Sequence, residues 1–229
     1  MINNITSNAL ELGLKVNGGK TQMICVNSIR QSETKTFIRD AQNGGKKIVA
    51  GNELKILGFY FGENPTVENH IDKLKTKFRK RLWILRNLRR AGTPQKDLLD
   101  AYTCFIRPTL DYCANVYHSM LTGNQAEQLE KMQLSALKII YGFHLSKDEL
   151  NNKAGITTLH ERRENLFVGF CKKAYGNERF KTEWFQERTF EGPNLRVQKI
   201  LKEKHAKSSR LFNSPLYKMR RTLNDVLVS

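Results

Sequence analysis

The chain has 229 residues, of which 39% are hydrophobic and 27% charged, and its formal net charge is +17. This length allows one or two domains with a core of useful size, and the positive charge favours a polyanionic partner, nucleic acid before an anionic membrane surface. No apolar run approaches the roughly 18–20 residues of a transmembrane helix, so the sequence predicts no membrane-spanning segment.

Residues 1–62 have the pattern of a mixed α/β segment. A short N-terminal helix is followed by a turn at residues 17–19, since Asn and Gly tolerate positive φ. Residues 20–27 alternate in polarity like a strand, and residues 54–61 are predicted to form a second, mostly buried strand. Between them, the Asn-Gly-Gly sequence at residues 43–45 predicts a hairpin.

From Asn64 onward the apolar period becomes helical. Asn64 and Pro65 supply a cap and a first-turn proline. One apolar stripe then predicts a long helix that ends at Gly92; it consists of Val67, Ile71, Leu74, Phe78, Leu82, Leu85 and Leu88. The next predicted helix covers residues 94–118, with a kink or break at Pro108.

Capping signals divide the following residues into further short helices. Three capping-box patterns occur: Thr122 with Gln125, Ser146 with Glu149, and Thr158 with Glu161. Three glycines stand where helix C-caps belong: Gly142, Gly155 and Gly176. A further helix is predicted at residues 194–206. The fold class is therefore α+β: a small mixed α/β part at 1–62, a mainly helical part at 63–176 and a basic, partly helical part at 177–229.

Residues 73–90 contain nine Lys or Arg and no acidic residue. Five of these cations fall on the half of the helix opposite the apolar stripe: Lys73, Arg79, Lys80, Arg86 and Arg90. Trp83 falls there too, and a tryptophan among cations suits packing against bases or sugars along a nucleic-acid backbone. Two plainer interpretations stay open, a solvated charged face and an indole that docks on another part of this protein. Weaker basic patches occur at residues 172–173, 199–207 and 218–221.

The four cysteines are Cys25, Cys104, Cys113 and Cys171. They show no CxxC spacing and no histidine at the distance of a zinc ligand. The pattern predicts buried free thiols in a reducing compartment and no metal site in this chain.

Two blocks resemble the last palm motifs of non-LTR (LINE-type) retrotransposon reverse transcriptases. Residues 13–26 begin Gly-Leu-Lys-Val-Asn-Gly-Gly-Lys-Thr, and residues 54–61 read Leu-Lys-Ile-Leu-Gly-Phe-Tyr-Phe. The resemblance continues in the same order through residues 77–89, 107–113, 129–142, 155–163 and 214–224. It implies the end of a palm in residues 1–62, followed by a thumb and C-terminal helices.

The resemblance also implies roles for single residues. Lys20 matches the lysine that assists proton transfer to the leaving pyrophosphate, a plausible role for an ammonium beside a developing phosphate charge. Leu57 and Gly58 match the primer grip, which the resemblance implies is a hairpin whose backbone presses on the terminal nucleotides of the primer. A backbone that approaches nucleic acid so closely leaves no room for a Cβ atom. The alternatives are that Lys20 only flanks a strand and that Gly58 is a bulge glycine. Asp111 and Tyr112 are interpreted as packing residues.

The metal-binding aspartates of this family lie upstream of the first block. Only twelve residues precede Gly13 here, and the sequence contains no Asp-Asp pair. Two-metal phosphoryl transfer needs such carboxylates, so the chain alone is expected to be inactive and to hold no cofactor, although the intact parent enzyme uses Mg²⁺. The expected partners are template RNA and primer DNA, or their hybrid duplex, and the missing N-terminal part of the polymerase.

Two other functions remain open from the sequence. One is a non-enzymatic, basic helical protein that binds RNA or DNA. The other is a membrane-surface or scaffold protein built on the amphipathic helix. The expected location is inside the cell, with nucleus and cytoplasm undistinguished.

Overall fold

The computed structural model describes residues 2–17, 19–25, 35–38, 46–63, 66–187, 200–203 and 205–228. These residues are mainly helical with a few short strands, which confirms the predicted α+β class. The chain separates into two compact units, Met1–His70 and Ile71–Ser229.

In its described residues, the first unit has one helix and two small sheets. Its elements are α1 (Ile2–Glu11), β1 (Met23–Ile24), β2 (Lys35–Ile38), β3 (Lys46–Gly51), β4 (Glu53–Ile56) and β5 (Phe59–Gly62). In the three-stranded sheet, β3 is central, parallel to β1 and antiparallel to β2. Of the strand predicted at residues 20–27, the structure shows two residues within 20–25, and residues 26–27 lie outside the described part. Residues 43–45 lie outside the described residues, but β2 and β3 on either side of them pair with Ile38 opposite Lys46, as in a hairpin.

The prediction of one mostly buried strand at residues 54–61 is wrong. The segment is a hairpin, in which β4 and β5 pair antiparallel around a two-residue turn at Leu57 and Gly58. Both turn residues have positive φ, 48° and 87°, the backbone that a tight hairpin turn requires. A continuous apolar run does not reveal this reversal. Phe59 is buried, whereas Ile56 and Phe61 are exposed.

The described helices that follow are α2 (Glu68–Arg90), α3 (Gln95–Ala101), α4 (Pro108–Asp111), α5 (Ala114–Tyr117), α6 (Gly123–Tyr141), α7 (Lys147–Ala154), α8 (Leu159–Tyr175), α9 (Glu178–Trp184), α10 (Ser209–Phe212) and α11 (Pro215–Val228). Four of them have 14 or more residues, α2, α6, α8 and α11, and the others have eight or fewer. Asn64 and Pro65, the predicted start of α2, lie outside the described residues. None of the helices that the structure describes is long and apolar enough to cross a membrane.

The apolar stripe of α2 is confirmed as its buried face. Ile71, Phe78 and Leu85 are at most 1% exposed, and Leu88, near the end of the stripe, is half-buried. Burying side chains of this size contributes about 1.5–3 kcal/mol each, so α2 is held by its stripe rather than by its many charged residues.

The prediction of one helix over residues 94–118 is only partly correct. A π-helical segment, Tyr102–Ile106, follows α3, and Pro108 opens α4 as its first residue. A second break occurs at Cys113, which has left-handed backbone with φ 58°. Proline has no N–H to donate to the preceding turn, and Arg81 of α2 donates hydrogen bonds to the Phe105 carbonyl oxygen and the Thr109 hydroxyl at this irregular point.

The capping signals hold with one exception. Thr122 and Ser146 each form both halves of a capping box. Thr158 accepts a hydrogen bond from the Glu161 backbone N–H, without the reciprocal bond. The three predicted glycines are all C-caps, and Gly155 has the left-handed φ of 62° that favours glycine.

The C-terminal residues pack on α8. One apolar cluster combines α8, α11 and the residues between them: Phe167, Cys171, Ala174, Phe185, Leu201, Met219 and Leu223. The Asn224 side chain fixes Leu201 by accepting from its N–H at 2.8 Å and donating to its carbonyl at 3.2 Å. The helix predicted at residues 194–206 is not present at 200–203 or 205–206, and residues 194–199 lie outside the described part.

Two further predictions need correction. Of the four free cysteines only Cys171 is buried, and burial raises its pKa to about 12, whereas Cys104 is exposed. Tyr112 is 53% exposed and so is not a packing residue. Asp111 does pack within the protein, since its side chain is 13% exposed and forms an ion pair with Arg162 of α8 at 2.8 Å.

Candidate nucleic-acid interface

The outward side of α2 carries most of the residues predicted to bind nucleic acid. Six of them are exposed: Lys73, Arg79, Lys80, Trp83, Arg86 and Arg90. Trp83 is 62% exposed, and its ring has no aromatic or cationic neighbour among the described residues. The alternative that Trp83 docks on another element has no support in this part of the chain.

A groove of about 430 Å³ runs between α2 and α6. Its apolar lining is Phe78, Leu82 and Met132, and two polar side chains of α6, Gln128 and Ser135, complete that wall. Four cations border it: Lys75, Arg79, Arg86 and Lys131. The groove therefore offers an apolar floor inside a cationic rim, and no carboxylate lines it.

The four cations differ in how their charge is used. Lys75 pairs with Asp72 at 2.9 Å, and Lys131 pairs with Glu127 at 2.8 Å. Arg79 and Arg86 make no hydrogen bond or ion pair with any residue that the structure describes. Their guanidinium groups are planar forks suited to phosphate oxygens, so these two arginines are the strongest candidates for phosphate contact.

Helical geometry sorts the predicted cations into two faces. At 100° per residue, Arg86, Arg79, Arg90 and Trp83 lie about 40°, 60°, 80° and 100° around the axis from Leu82. Lys80 and Lys73 lie about 160° and 180° from it. Arg79, Trp83, Arg86 and Arg90 thus form one stripe beside the groove, hereafter the arginine stripe, while Lys73 and Lys80 belong to the far face.

Two other arginines of α2 donate hydrogen bonds that hold the fold. Arg81 bonds the irregular segment around Phe105, and Arg89 donates to the Ile140 carbonyl oxygen at the end of α6. The latter bond ties the end of α2 to α6, which fixes the two walls of the groove relative to each other. Residues 73–90 therefore contain both exposed cations without a described partner and arginines that hold the fold.

The opposite side of α6 is buried and polar, and it orients the groove wall. Glu130 accepts hydrogen bonds from the backbone N–H groups of Leu159 and His160 at the start of α8. Gln133 accepts from the Tyr102 hydroxyl at 3.2 Å and donates to the Thr157 carbonyl oxygen at 3.1 Å. With these side chains held inward, Lys131 and Met132 face the groove.

The last of the basic patches, residues 218–221, is largely engaged within the protein. Lys218 pairs with Glu164 at 2.8 Å, Arg220 donates to the Trp184 carbonyl oxygen, and Arg221 lies over the Phe212 ring. Hydrogen bonds from Lys218 and His118 lower the pKa of Glu164 against the opposing effect of its burial. Residues 218–221 are thus poor candidates for nucleic-acid contact, whereas Lys172 and Lys173 are exposed.

The first unit carries the remaining candidates. Asn17 closes a turn by accepting from the N–H groups of Gly19 and Lys20, and the Lys20 side chain is exposed. Leu57 is 86% exposed at the tip of the β4–β5 hairpin. Gly58 belongs to that turn, so the interpretation as a bulge glycine is wrong. Among the described residues, no group of three His, Cys, Asp or Glu side chains could hold a metal ion.

Sequence reasoning missed Lys75 and all of α6 as parts of the interface. The capping box at Thr122 predicted the helix, but no local signal shows which helix lies beside α2. No protein-family model, curated protein or solved structure matches this chain. The fold and the groove define a basic α+β protein with a cationic surface on its helical unit.

Proposed function

We propose that this chain is the C-terminal part of a non-LTR retrotransposon reverse transcriptase, and that it binds nucleic acid through the groove between α2 and α6. In this proposal residues 1–62 are the end of the palm, and the helices from α2 onward are the thumb and the region that follows it. The order of the sequence blocks supports the family, and the arginine stripe supports the binding.

The observation that carries the proposal is the arrangement of Arg79 and Arg86. They lie two helical turns apart on the rim of an apolar groove and have no partner in the described part of the protein. A purely structural role would pair such guanidinium groups, as it does for Arg81 and Arg89. Unpaired arginines in a row suit the phosphates of a nucleic-acid backbone.

A non-enzymatic RNA- or DNA-binding protein would use the same groove, and the palm-like blocks favour the polymerase over it. The membrane-surface alternative is less well supported. It needs the apolar face of α2 at the lipid, yet Ile71, Phe78 and Leu85 are buried within the protein. The polymerase chemistry itself, including a role for Lys20 and the use of Mg²⁺, would need the metal-binding carboxylates of the intact parent enzyme.

The test is the salt dependence of binding to an RNA–DNA hybrid, measured by fluorescence anisotropy. If four to six phosphates are neutralised, log K should fall with log salt at a slope of roughly −4 to −5. Replacing Arg79 and Arg86 together with glutamine should flatten the slope by about 1.8, because each lost phosphate contact contributes about 0.9.

The matched control replaces Lys73 and Lys80 with glutamine. This pair removes the same charge from the same helix but from the far face, so the slope should change by less than half as much. Equal effects of the two pairs would place the binding outside the groove. A wild-type chain that binds neither the hybrid nor a single strand even at low salt would refute the proposal.

A further inference from the structure

The arginine stripe contains one residue that phosphate binding does not explain. Trp83 lies one turn after Arg79 and almost one turn before Arg86, with 62% of its side chain exposed. An exposed indole between two guanidinium groups costs solubility and adds nothing to the contact with a phosphate backbone. The flat apolar face of the indole ring is suited to stacking against another flat ring.

We propose that this surface binds unpaired nucleotides, with one base stacked on Trp83 and a neighbouring nucleotide seated in the groove. The inference rests on the proposed function and adds the class of substrate: a single strand, such as an unpaired template segment, in preference to a blunt duplex. In a duplex the base faces are covered by their neighbours, so only an unpaired or terminal base can stack on an external aromatic ring.

The groove has the dimensions of a site for one nucleotide. Its volume of about 430 Å³ lies within the range of about 300–1,000 Å³ that is typical of small-ligand sites. Phe78, Leu82 and Met132 offer apolar contact for a base or sugar, and the Gln128 amide on the same wall can both donate to and accept from a base edge. A base pair with two backbones would not enter it.

The length of the cationic rim indicates how many nucleotides of a single strand it can contact. From Lys75 to Arg90 the axis of α2 advances about 22 Å, the length of about seven stacked nucleotides at 3.4 Å each. Arg79 and Arg86 are about 10.5 Å apart along the axis. They would contact phosphates about three steps apart, with the base on Trp83 between them.

An acidic amphipathic helix is the other occupant that the charges allow. It would cover the groove and the cations, but its apolar stripe would leave Trp83, which lies outside the groove, without a flat partner. The position of the indole therefore favours a single-stranded nucleic acid. Competition between an oligonucleotide and an acidic helical peptide for the groove would distinguish the two occupants.

The experiment compares an eight-nucleotide oligouridine with a blunt RNA–DNA hybrid duplex, using the full chain at fixed salt. Trp83→Ala should weaken oligouridine binding about tenfold and duplex binding less than twofold, while Trp83→Phe should retain most of the affinity. Ile84→Ala is the control, since Ile84 is the neighbouring exposed apolar residue, at 52%, and lies about 100° further around the helix.

Fluorescence supplies a second measurement. The chain has two tryptophans, and Trp184 is stacked on Phe180 with ring centroids 4.5 Å apart. In a Trp184→Phe background, oligouridine should quench the remaining Trp83 emission, and the duplex should not. Equal losses on both probes with Trp83→Ala, or no quenching, would refute the single-strand inference while leaving the proposed function intact. Failure of both probes to bind the wild-type chain would refute the proposed function itself.

Discussion

The backbone N–H of Leu159 lies 3.2 and 3.1 Å from the two carboxylate oxygens of Glu130. The same carboxylate accepts from His160, so an acid from α6 satisfies two of the unpaired donors at the start of α8 and complements its dipole. It also offsets the nearby charges of Arg107 and Arg163, whose pKa values are lowered chiefly by burial. Glu130 thus joins two helices that are distant in sequence.

Replacing Glu130 with alanine should lower the free energy of unfolding of the helical unit by about 2–4 kcal/mol. The substitution leaves buried N–H donors without an acceptor, and it removes a negative charge that offsets the positive charge of the buried arginines. Urea denaturation followed by circular dichroism measures this. Glu127→Ala is the control on the same helix and should cause no measurable change, since Glu127 pairs with Lys131 on the surface. Equal destabilisation by the two substitutions would contradict the role assigned to Glu130.

The first unit should lose stability in mild acid because of His70. Its ring stacks on Phe59 with centroids 4.4 Å apart, it is 3% exposed, and burial lowers its pKa to about 4. The unfolded chain takes up this proton near pH 6.5. Stability should therefore be full above pH 6.5, fall as the pH drops to about 4 and level off below that, with a total loss of at most about 3–4 kcal/mol.

His70→Phe keeps the stacked ring and removes the titration. Amide protection of β4 and β5, corrected for intrinsic exchange rates, should fall between pH 7 and 5 in the wild-type chain and stay nearly constant in the variant. The same fall in both proteins would assign the acid sensitivity to other groups.

The turn of the β4–β5 hairpin carries strain at Leu57. A non-glycine residue with φ of 48° is costly, and two-residue turns of this kind prefer Asn-Gly. Leu57→Asn should stabilise the hairpin by about 0.5–1 kcal/mol, and the β-branched Leu57→Val should destabilise it, as measured by the protection of Phe59 and Phe61. If the exposed leucine contacts nucleic acid, Leu57→Asn should also weaken binding despite the gain in stability. A loss of stability in the Leu57→Asn variant would contradict the conclusion that Leu57 is strained in this turn.

Hydrogen exchange should distinguish the two units of the chain. We expect faster exchange in residues 1–62, where β1 pairs over two residues and the β4–β5 hairpin exposes apolar side chains. The centres of α2 and α6 should exchange slowly, since Phe78, Leu82, Leu137 and Ile140 are buried there. If residues 20–27 and 54–61 exchanged most slowly in a monomer, residues 1–62 would be a complete domain and the interpretation as a partial palm would be wrong.

The sequence by itself determined the features that depend on neighbours within one or two turns. The apolar stripe of α2 correctly identified its buried face, and the capping boxes at Thr122 and Ser146 correctly marked two helix starts. These signals are local because side chains three and four residues apart share a helix face, and a cap acts within the first turn. The reversal at Leu57 was missed from the apolar pattern because a continuous apolar run suits a strand and a hairpin equally.

Only the tertiary structure decided which cations line the groove. From sequence, Lys73, Arg79, Lys80 and Arg86 belonged to one basic face; in the structure, Arg79 and Arg86 line a groove with Lys131, and Lys73 and Lys80 do not. Arg81 and Arg89 instead donate hydrogen bonds to the carbonyl groups of Phe105 and Ile140. These outcomes depend on which helix packs beside α2, and the pairing of helices 40 or more residues apart leaves no local pattern in the sequence.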